Sequence, residues 1–144
     1  MNGIRERLRA CSGVLVDSNV LLDVAGADSP WYAWSDRALL EIAEFTTLII
    51  NPIIFAEVSV RFSTIESAEA ALPTELVQRE QLPWEAAFLA GKCYMDYRRR
   101  GGVRTSPLPD FYIGAHAAVR RLGLLTRDRA RYASYFPNVE IFAP

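Results

Sequence analysis

Four short apolar runs limit the fold of this chain more than any other feature. They are GVLVD, TTLII, LGLLT and VEIFA, and helix-like sequence lies between them. Short apolar strands separated by helices predict a parallel sheet that is covered on both faces. With 144 residues, 51% of them hydrophobic, the chain is long enough for one such core. We therefore predict a single α/β domain over residues 1–144, with three layers and a short, mostly parallel sheet of four or five strands flanked by helices.

Helix signals fill the segments between these runs. SNVLLDVA predicts one or two helical turns, residues 30–45 have a helical pattern, and Asn51-Pro52 is a helix start with a cap and a first-position proline. Residues 64–81 indicate short helices interrupted by Pro73, and Pro83 opens a longer helix that runs to Arg100. Gly101-Gly102 ends that helix, and SPLPD begins the next one.

Four acidic residues stand at joints between a strand-like and a helix-like run. Asp17 and Asp128 follow apolar strands, and Glu57 and Asp110 lie at or near the starts of helices. Ligands of such sheets bind outside the carboxyl ends of the strands, so these acids are placed to converge on one rim. Converging carboxylates repel one another unless a cation lies among them, and oxygen ligands suit Mg²⁺ or Mn²⁺. The pattern predicts a metal-dependent nuclease site.

Each acid also has a simpler structural role to be weighed. Asp17 and Asp128 could cap the helices that follow them. Asp110 could interact with a helix dipole, and Glu57 could pair with Arg61 one turn later. Glu57 is expected on the apolar side of its helix, where an unpaired carboxylate is costly and a metal partner explains it better.

Other polar residues near these acids have supporting or local roles. Thr126 could hold a carboxylate or a water, and Ser18 and Asn19 could add oxygen ligands or continue the turn. Asp23 is expected to face solvent or to pair locally. The only histidine, His116, is expected to be a packing or supporting residue, so the mechanism relies on metal-activated water and not on a histidine base.

The net charge of −1 means that nucleic-acid binding must come from a local patch. Only Lys92 among the 16 basic residues is a lysine, and the other 15 are arginines, which suits phosphate contacts but equally fits a GC-rich genome. Five arginines lie near the acids and are candidate RNA contacts: Arg98, Arg99, Arg100, Arg104 and Arg127. The first four could line the path to Asp110 or form a solvated helix end, and Arg127 could contact phosphate or point into solvent.

In order and spacing, VLVDSNVLLD, NPIIFAEV, YRRRGGVRTSPLPDFYIGAHA, LLTRDRARY and the terminal VEIFAP resemble the PIN-domain nucleases, and most closely the VapC-type toxins of toxin–antitoxin pairs. The resemblance covers nearly the whole chain. It implies that Asp17, Glu57, Asp110 and Asp128 bind Mg²⁺ or Mn²⁺ and cleave RNA, with Asn19 and Thr126 in support. One departure is Arg127, where many relatives carry a small polar residue.

The resemblance also implies partners. It predicts a protein antitoxin that covers the toxin and blocks its site, and a homodimer. The aromatic residues Trp31, Tyr32 and Trp34 could belong to the antitoxin groove or to the core, and we expect the core. A charged start, without a secretory signal or a membrane-length apolar run, predicts a cytoplasmic location.

Other functions fit less well. A receiver-type phosphoacceptor needs a lysine after a late strand, whereas Lys92 lies in a predicted helix; a dehalogenase-type phosphatase needs an acid at the position of Asn19. The motif of P-loop nucleotide enzymes is absent. Two readings remain open beside the toxin: a housekeeping RNA-processing PIN nuclease, and an inactive PIN scaffold that binds protein. The inactive scaffold predicts a missing acid or a basic residue filling the metal site.

Overall fold

A computed structural model describes residues 2–26, 28–104 and 108–144. Five strands alternate with eight helices within these residues. The strands are β1 (Val14–Val16), β2 (Leu48–Ile50), β3 (Gln78–Arg79), β4 (Gly123–Leu125) and β5 (Ile141–Phe142). The helices are α1 (Asn2–Leu8), α2 (Ser18–Ala25), α3 (Tyr32–Ala43), α4 (Pro52–Ser59), α5 (Ile65–Ala71), α6 (Trp84–Arg99), α7 (Pro109–Arg120) and α8 (Arg129–Ala133). Residues 105–107, part of the SPLPD helix start expected from sequence, lie outside the described ranges.

The sheet has the order β3-β2-β1-β4-β5, and every pairing in it is parallel. The central strand β1 pairs with β2 on one side, Val14 opposite Leu48, and with β4 on the other, Val16 opposite Leu125. All three residues of β1 are fully buried, as expected for a strand with helices on both faces. The predicted α/β fold with a parallel sheet of four or five strands is confirmed.

Local signals set several helix boundaries. The Asn51 side chain accepts from the Ile54 amide at 2.9 Å, so it caps α4 as the Asn-Pro pair predicts. Gly101, with φ of 93°, follows the end of α6 in a conformation that favours glycine. Arg121 ends α7 with φ of 54°, and the Leu122 amide then donates to the Ala117 carbonyl at 2.9 Å.

The sequence missed the strand β3. Residues 64–81 were expected to form helices, but only α5 is helical there, and Gln78–Arg79 pairs with β2 instead. Both β3 residues are polar and exposed, so neither the apolar run nor the alternation that marks a strand is present. This two-residue edge segment is a strand only because its backbone pairs with that of β2, which the local sequence does not reveal.

The buried core fills the space between the sheet and the helices, and α7 packs closely on it. Gly114 of α7 lies against the ring of Phe136, because a Cβ there would stand 2.2 Å from Phe136 Cε2. Gly123 at the start of β4 meets Phe142 in the same way, at 2.8 Å. Gly114 thus lets α7 approach the segment that follows α8, and Gly123 leaves room for the Phe142 ring. Within the described residues, no helix is long and apolar enough to cross a membrane.

Candidate active site

The site begins where the two central strands end side by side. Val16 pairs with Leu125 in register, and the Asp17 amide donates to the Leu125 carbonyl at 2.9 Å. The next residues, Asp17 and Thr126, therefore leave the sheet together, although 109 residues separate them. This is the carboxyl edge at which parallel sheets bind ligands.

Asp17 is 2% exposed and is held by four donors. Its Oδ1 accepts from the Ser18 amide at 2.8 Å, which caps α2. Its Oδ2 accepts from Thr126 Oγ1 at 2.7 Å, from Tyr132 Oη at 2.9 Å and from Asn19 Nδ2 at 3.4 Å. The capping role considered for Asp17 is thus present, and it coexists with a place at the centre of the polar cluster. Several donors around one buried carboxylate keep it fixed in direction.

Thr126 and Asn19 tie α2 to the loop after β4. Thr126 gives its one hydroxyl hydrogen to Asp17 and accepts from the Asp128 amide at 3.1 Å. Asn19 donates to Thr126 at 3.3 Å and accepts from the Arg127 amide at 3.2 Å. Their side chains therefore hold the loop that carries Asp128, in keeping with the supporting positions expected from sequence.

Glu57 reaches the cluster from α4. Its Oε1 accepts from Ser18 Oγ at 3.0 Å. Burial raises the pKa of Glu57, the Ser18 hydrogen bond opposes this rise, and the nearby charges of Asp17 and Asp110 add to it. The expected apolar surroundings are only partly present, because Val60 is 86% exposed. The pairing with Arg61 is not among the ion pairs of the described residues.

Asp110 lies in the first turn of α7 and faces Asp17 across a tyrosine hydroxyl. Its Oδ1 is 3.3 Å from Tyr132 Oη, and its Oδ2 is 3.8 Å from Arg131 Nε. Burial raises the pKa of Asp110; Arg131 lowers it, and the charge of Asp17 raises it again. The electrostatic coupling of Asp17, Glu57 and Asp110 means that the fold has brought these three acids to one place.

Tyr132 is the residue of this site that the sequence did not reveal. It is fully buried, and its hydroxyl lies between Asp17 and Asp110. Burial, followed by the charges of these two acids, raises the pKa of Tyr132 far above its ordinary value, so the hydroxyl keeps its hydrogen. The only hint in the sequence is its position one helical turn after Asp128, on the short helix α8.

Asp128 stands at the exposed end of the cluster. It occupies the N-cap position of α8 but makes no side-chain cap, so the capping role considered for it is wrong. Its Oδ2 instead forms an ion pair with Arg131, 2.8 Å from Nε, and the side chain is 40% exposed. Arg131 therefore connects Asp128 to Asp110, a role that no sequence signal distinguished from the other arginines.

The donor set suits a hard divalent cation, since it consists of carboxylate and hydroxyl oxygens whose mutual repulsion a cation would relieve. Burial is the main cause of the raised pKa values of Glu57 and Asp110, and the charges of the neighbouring acids add to it. However, in residues 2–26, 28–104 and 108–144 no three His, Cys, Asp or Glu side chains are spaced to enclose one ion. The oxygen ligands are therefore of the type that such an ion prefers, whereas the acidic side chains lie farther apart than in a closed set of ligands.

The arginines in the last turn of α6 and just after it mostly contact nearby residues. Arg98 Nη1 donates to the Gly102 and Arg104 carbonyls at 3.3 and 3.1 Å. Arg100 pairs with Asp96 at 2.9 Å and lies over the Tyr135 ring. Of Arg98, Arg99, Arg100 and Arg104, none forms an ion pair with the four acids among the described residues. Their proposed contact with RNA stays a prediction.

On the α2 side of the site the expectations are met only in part. Asp23 does not face solvent, since it is 4% exposed; it accepts from Ser29 Oγ at 2.8 Å, a local contact, and from the distant Arg127 Nε at 2.7 Å. The Arg127 guanidinium also lies 5.4 Å from the centroid of the Trp31 ring, and its contact with RNA stays a prediction. Trp31 and Tyr32 are 39% and 40% exposed, so they are surface residues and not core; only Trp34 is partly buried.

His116 is a fully buried packing residue, as expected. Asn51 uses its oxygen to cap α4, so its Nδ2 must donate to His116 Nδ1, at 3.0 Å. His116 Nε2 then carries the hydrogen and donates to Glu80 at 3.2 Å. Burial lowers the pKa of His116, which agrees with this neutral form.

Several solved structures share this fold. VapBC2 from Rickettsia felis, bound to a DNA fragment from its promoter, matches with a TM-score of 0.69 and 15% identity over 91% of this chain and 98% of that chain. VapBC-1 from nontypeable Haemophilus influenzae matches with a TM-score of 0.66 and 16% identity, over 90% of this chain and 96% of that chain. The sarcin-ricin loop cleaving toxin VapC20 from Mycobacterium tuberculosis matches with a TM-score of 0.64 and 15% identity, over 86% of this chain and 96% of that chain. At such identities the likeness concerns the fold.

Sequence comparison identifies the family. Among curated proteins, none matches the chain significantly. The family model of the PIN domain, however, matches residues 14–135, which include β1 to β4 and all four acids of the site. The resemblance to PIN domains noted in the sequence is thus confirmed, and the protein belongs to the PIN domain family.

Proposed function

We propose that this protein is a Mg²⁺- or Mn²⁺-dependent endoribonuclease that acts as the toxin of a type II toxin–antitoxin pair. The observation that carries the proposal is the convergence of Asp17, Glu57 and Asp110, from three different elements, on the carboxyl edge of a parallel sheet. Membership of the PIN domain family and the fold shared with VapC20, a sarcin-ricin loop cleaving toxin, support the same function.

The roles of the residues follow from their surroundings. Asp17 and Asp110 would hold the cation directly, and Glu57 and Asp128 would bind it or orient the attacking water. A bound divalent cation supplies a water of lowered pKa and neutralises charge on the phosphate. Thr126, Asn19 and Tyr132 hold the carboxylates in direction, because each donates to Asp17. Ser18 does the same for Glu57.

The proposed partners are a cognate antitoxin, an RNA substrate and a second copy of the chain, with residues 1–144 acting as one domain. Solved structures of the same fold include DNA-bound VapBC from Salmonella typhimurium and a toxin-antitoxin complex from Klebsiella pneumoniae. Exposed apolar surface supports protein partners here: Leu40 and Leu76 border an apolar groove beside α3, and Trp84, Phe88 and Met95 lie exposed on α6.

One observation favours a second candidate, a PIN scaffold that binds protein without catalysis. Arg131 pairs with both Asp110 and Asp128, and a basic residue in the metal site is what an inactive scaffold predicts. The open spacing of the acids agrees with it. Against it, all four acids are present, and Arg131 is half-exposed and lies 3.8 Å from Asp110.

The test is cleavage of RNA by the purified chain, with antitoxin removed, in Mg²⁺ or Mn²⁺. Asp17→Asn and an EDTA lane serve as the two controls. Discrete cleavage that both controls abolish would establish a metal-dependent ribonuclease. Intact RNA together with no calorimetric binding of Mn²⁺ would refute catalysis and favour the scaffold. A housekeeping nuclease would instead cleave RNA without harming cells that lack an antitoxin, so induced expression distinguishes it from a toxin.

A further inference from the structure

One cation stands among the acids of the site. Arg131 Nε lies 2.8 Å from Asp128 Oδ2 and 3.8 Å from Asp110 Oδ2. The side chain comes from α8, a single helical turn, and is 52% exposed. Its neighbour Tyr132 points the opposite way, into the core between Asp17 and Asp110. The same turn thus presents a buried hydroxyl and a half-exposed positive charge to one cluster of carboxylates.

We propose that Arg131 is an internal counter-ion of the metal-free site that exchanges Asp110 and Asp128 for a phosphate of the substrate. This inference rests on the proposed nuclease function. In the free chain Arg131 neutralises part of the charge of the acids. When a divalent cation takes these carboxylates, Arg131 is released beside them and binds a phosphate oxygen of the RNA backbone.

The first step follows from competition for the same oxygens. Arg131 Nε forms ion pairs with Asp128 Oδ2 and Asp110 Oδ2, and the same two carboxylates are proposed to take part in holding the cation. A guanidinium and a divalent cation repel each other, so Arg131 cannot stay paired at full strength once the site is loaded. A half-exposed side chain holding one short contact is also easily moved, because exposed ion pairs are weak.

The second step follows from the chemistry of arginine. Its planar fork of donors matches the oxygens of a phosphate and often binds two of them at once. In both ion pairs the Arg131 atom is Nε, so the two terminal nitrogens are the donors available to a phosphate. Because Arg131 is attached at the edge of the acids, its released guanidinium stays close to the place where the scissile phosphate must bind.

The proposal predicts opposite effects of one substitution on two ligands. In Arg131→Gln, calorimetry should show Mn²⁺ binding tighter by about two- to fivefold, since a competing ion pair is removed. Binding of a short fluorescein-labelled single-stranded RNA to the Mn²⁺-loaded protein should weaken by about tenfold. Glu57→Gln is added in every variant of this arm to prevent cleavage while both proposed direct ligands, Asp17 and Asp110, are kept, and calorimetry confirms that each variant still binds Mn²⁺. Arg129→Gln is the matched control: it removes the same charge from α8, but Arg129 donates to the Ile141 carbonyl and not to the acids. It should change either affinity by less than about twofold.

The outcomes separate this inference from the proposed function. Tighter Mn²⁺ with weaker RNA in Arg131→Gln supports the exchange. If Arg131→Gln binds Mn²⁺ and RNA as wild type does, or binds both more weakly, the exchange is refuted. Arg131 is then a structural residue, and the nuclease proposal is unaffected. A wild type that binds no Mn²⁺ refutes both. Arg131→Lys guards against misfolding: it should keep the wild-type Mn²⁺ affinity, because the charge remains, yet bind RNA more weakly, because lysine lacks the fork. RNA affinity equal to wild type in this variant would also refute the phosphate contact.

Discussion

Removing the hydroxyl of Tyr132 tests the architecture of the site without removing a charge. In Tyr132→Phe the ring, which is fully buried, keeps its packing, whereas Asp17 and Asp110 lose the group between them. We expect the metal-free protein to become less stable, because a buried carboxylate then has one donor fewer. Asp17 keeps Thr126 and the Ser18 amide, so the fold should survive.

The size of the effect follows from the number of hydrogens. Tyr132 has one hydrogen and two acceptors, at 2.9 and 3.3 Å, so the loss counts as one hydrogen bond to a charged group. Such a bond contributes about 1.5–3 kcal/mol. At about 4 °C per kcal/mol for a domain of this length, the melting temperature in EDTA should fall by about 6–12 °C.

The assay is thermal and urea unfolding in EDTA, with Tyr135→Phe as the control. Tyr135 lies on the same segment and packs edge-on against Phe111, with no side-chain hydrogen bond in the described residues. It should stay within about 0.5 kcal/mol of wild type. If Tyr132→Phe were as stable as this control, the tyrosine hydroxyl would not be the group that holds the two carboxylates together, and our account of the site would fail.

Three further perturbations test other parts of the structure. Burial raises the pKa of Asp110. In EDTA, the stability that the protonated Asp110 contributes is therefore present at acidic pH and is lost as the pH rises through its pKa. Asp110→Asn mimics the protonated form, so its melting temperature should rise relative to that of wild type between about pH 4 and pH 8. A shrinking advantage would contradict this sign. Gly114→Ala should lower the free energy of unfolding in urea by about 1–3 kcal/mol, because the added Cβ would lie 2.2 Å from the buried Phe136 ring. The control Gly91→Ala, where the added Cβ on α6 meets no atom within 4 Å, should raise that free energy by up to about 1 kcal/mol. Arg127→Ala should lower the free energy of unfolding by about 1–3 kcal/mol in the same assay, because the buried Asp23 charge then keeps only serine donors. Adding Asp23→Asn should restore part of this loss, and fully additive effects of the two substitutions would refute the pairing.

The sequence predicted where the acids lie because the ends of strands and the starts of helices can be recognised from short patterns. Asp17 follows an apolar strand directly, and the parallel order of the strands brings it beside Thr126 at the same edge. Asn51-Pro52 fixes the start of α4, which sets the turn on which Glu57 stands. Short-range patterns of this kind are sufficient to predict which residues meet, since strand and helix periods determine the direction of each joint.

The sequence could not supply the contacts that depend on the path of the chain in space. Arg127 and Asp23 are 104 residues apart, and nothing in either segment indicates that they pair. The Tyr132 hydroxyl reaches Asp17 and Asp110 because α8 packs against α7. Trp31 looked like a core residue by type, but its ring is a surface platform for Arg127. Tertiary placement decides such cases, and composition does not.

The separation of the site residues along the chain has a consequence for synthesis. The contacts that fix Asp17 come from Thr126 and Tyr132, 109 and 115 residues later. A growing chain that has not yet reached β4 already contains Asp17, Glu57 and Asp110, but its central strand lacks one neighbour. Contacts of such long range form late in folding, because the intervening loop must first be closed. A ribosome would therefore finish most of this protein before the side chains around Asp17 could hold it in place.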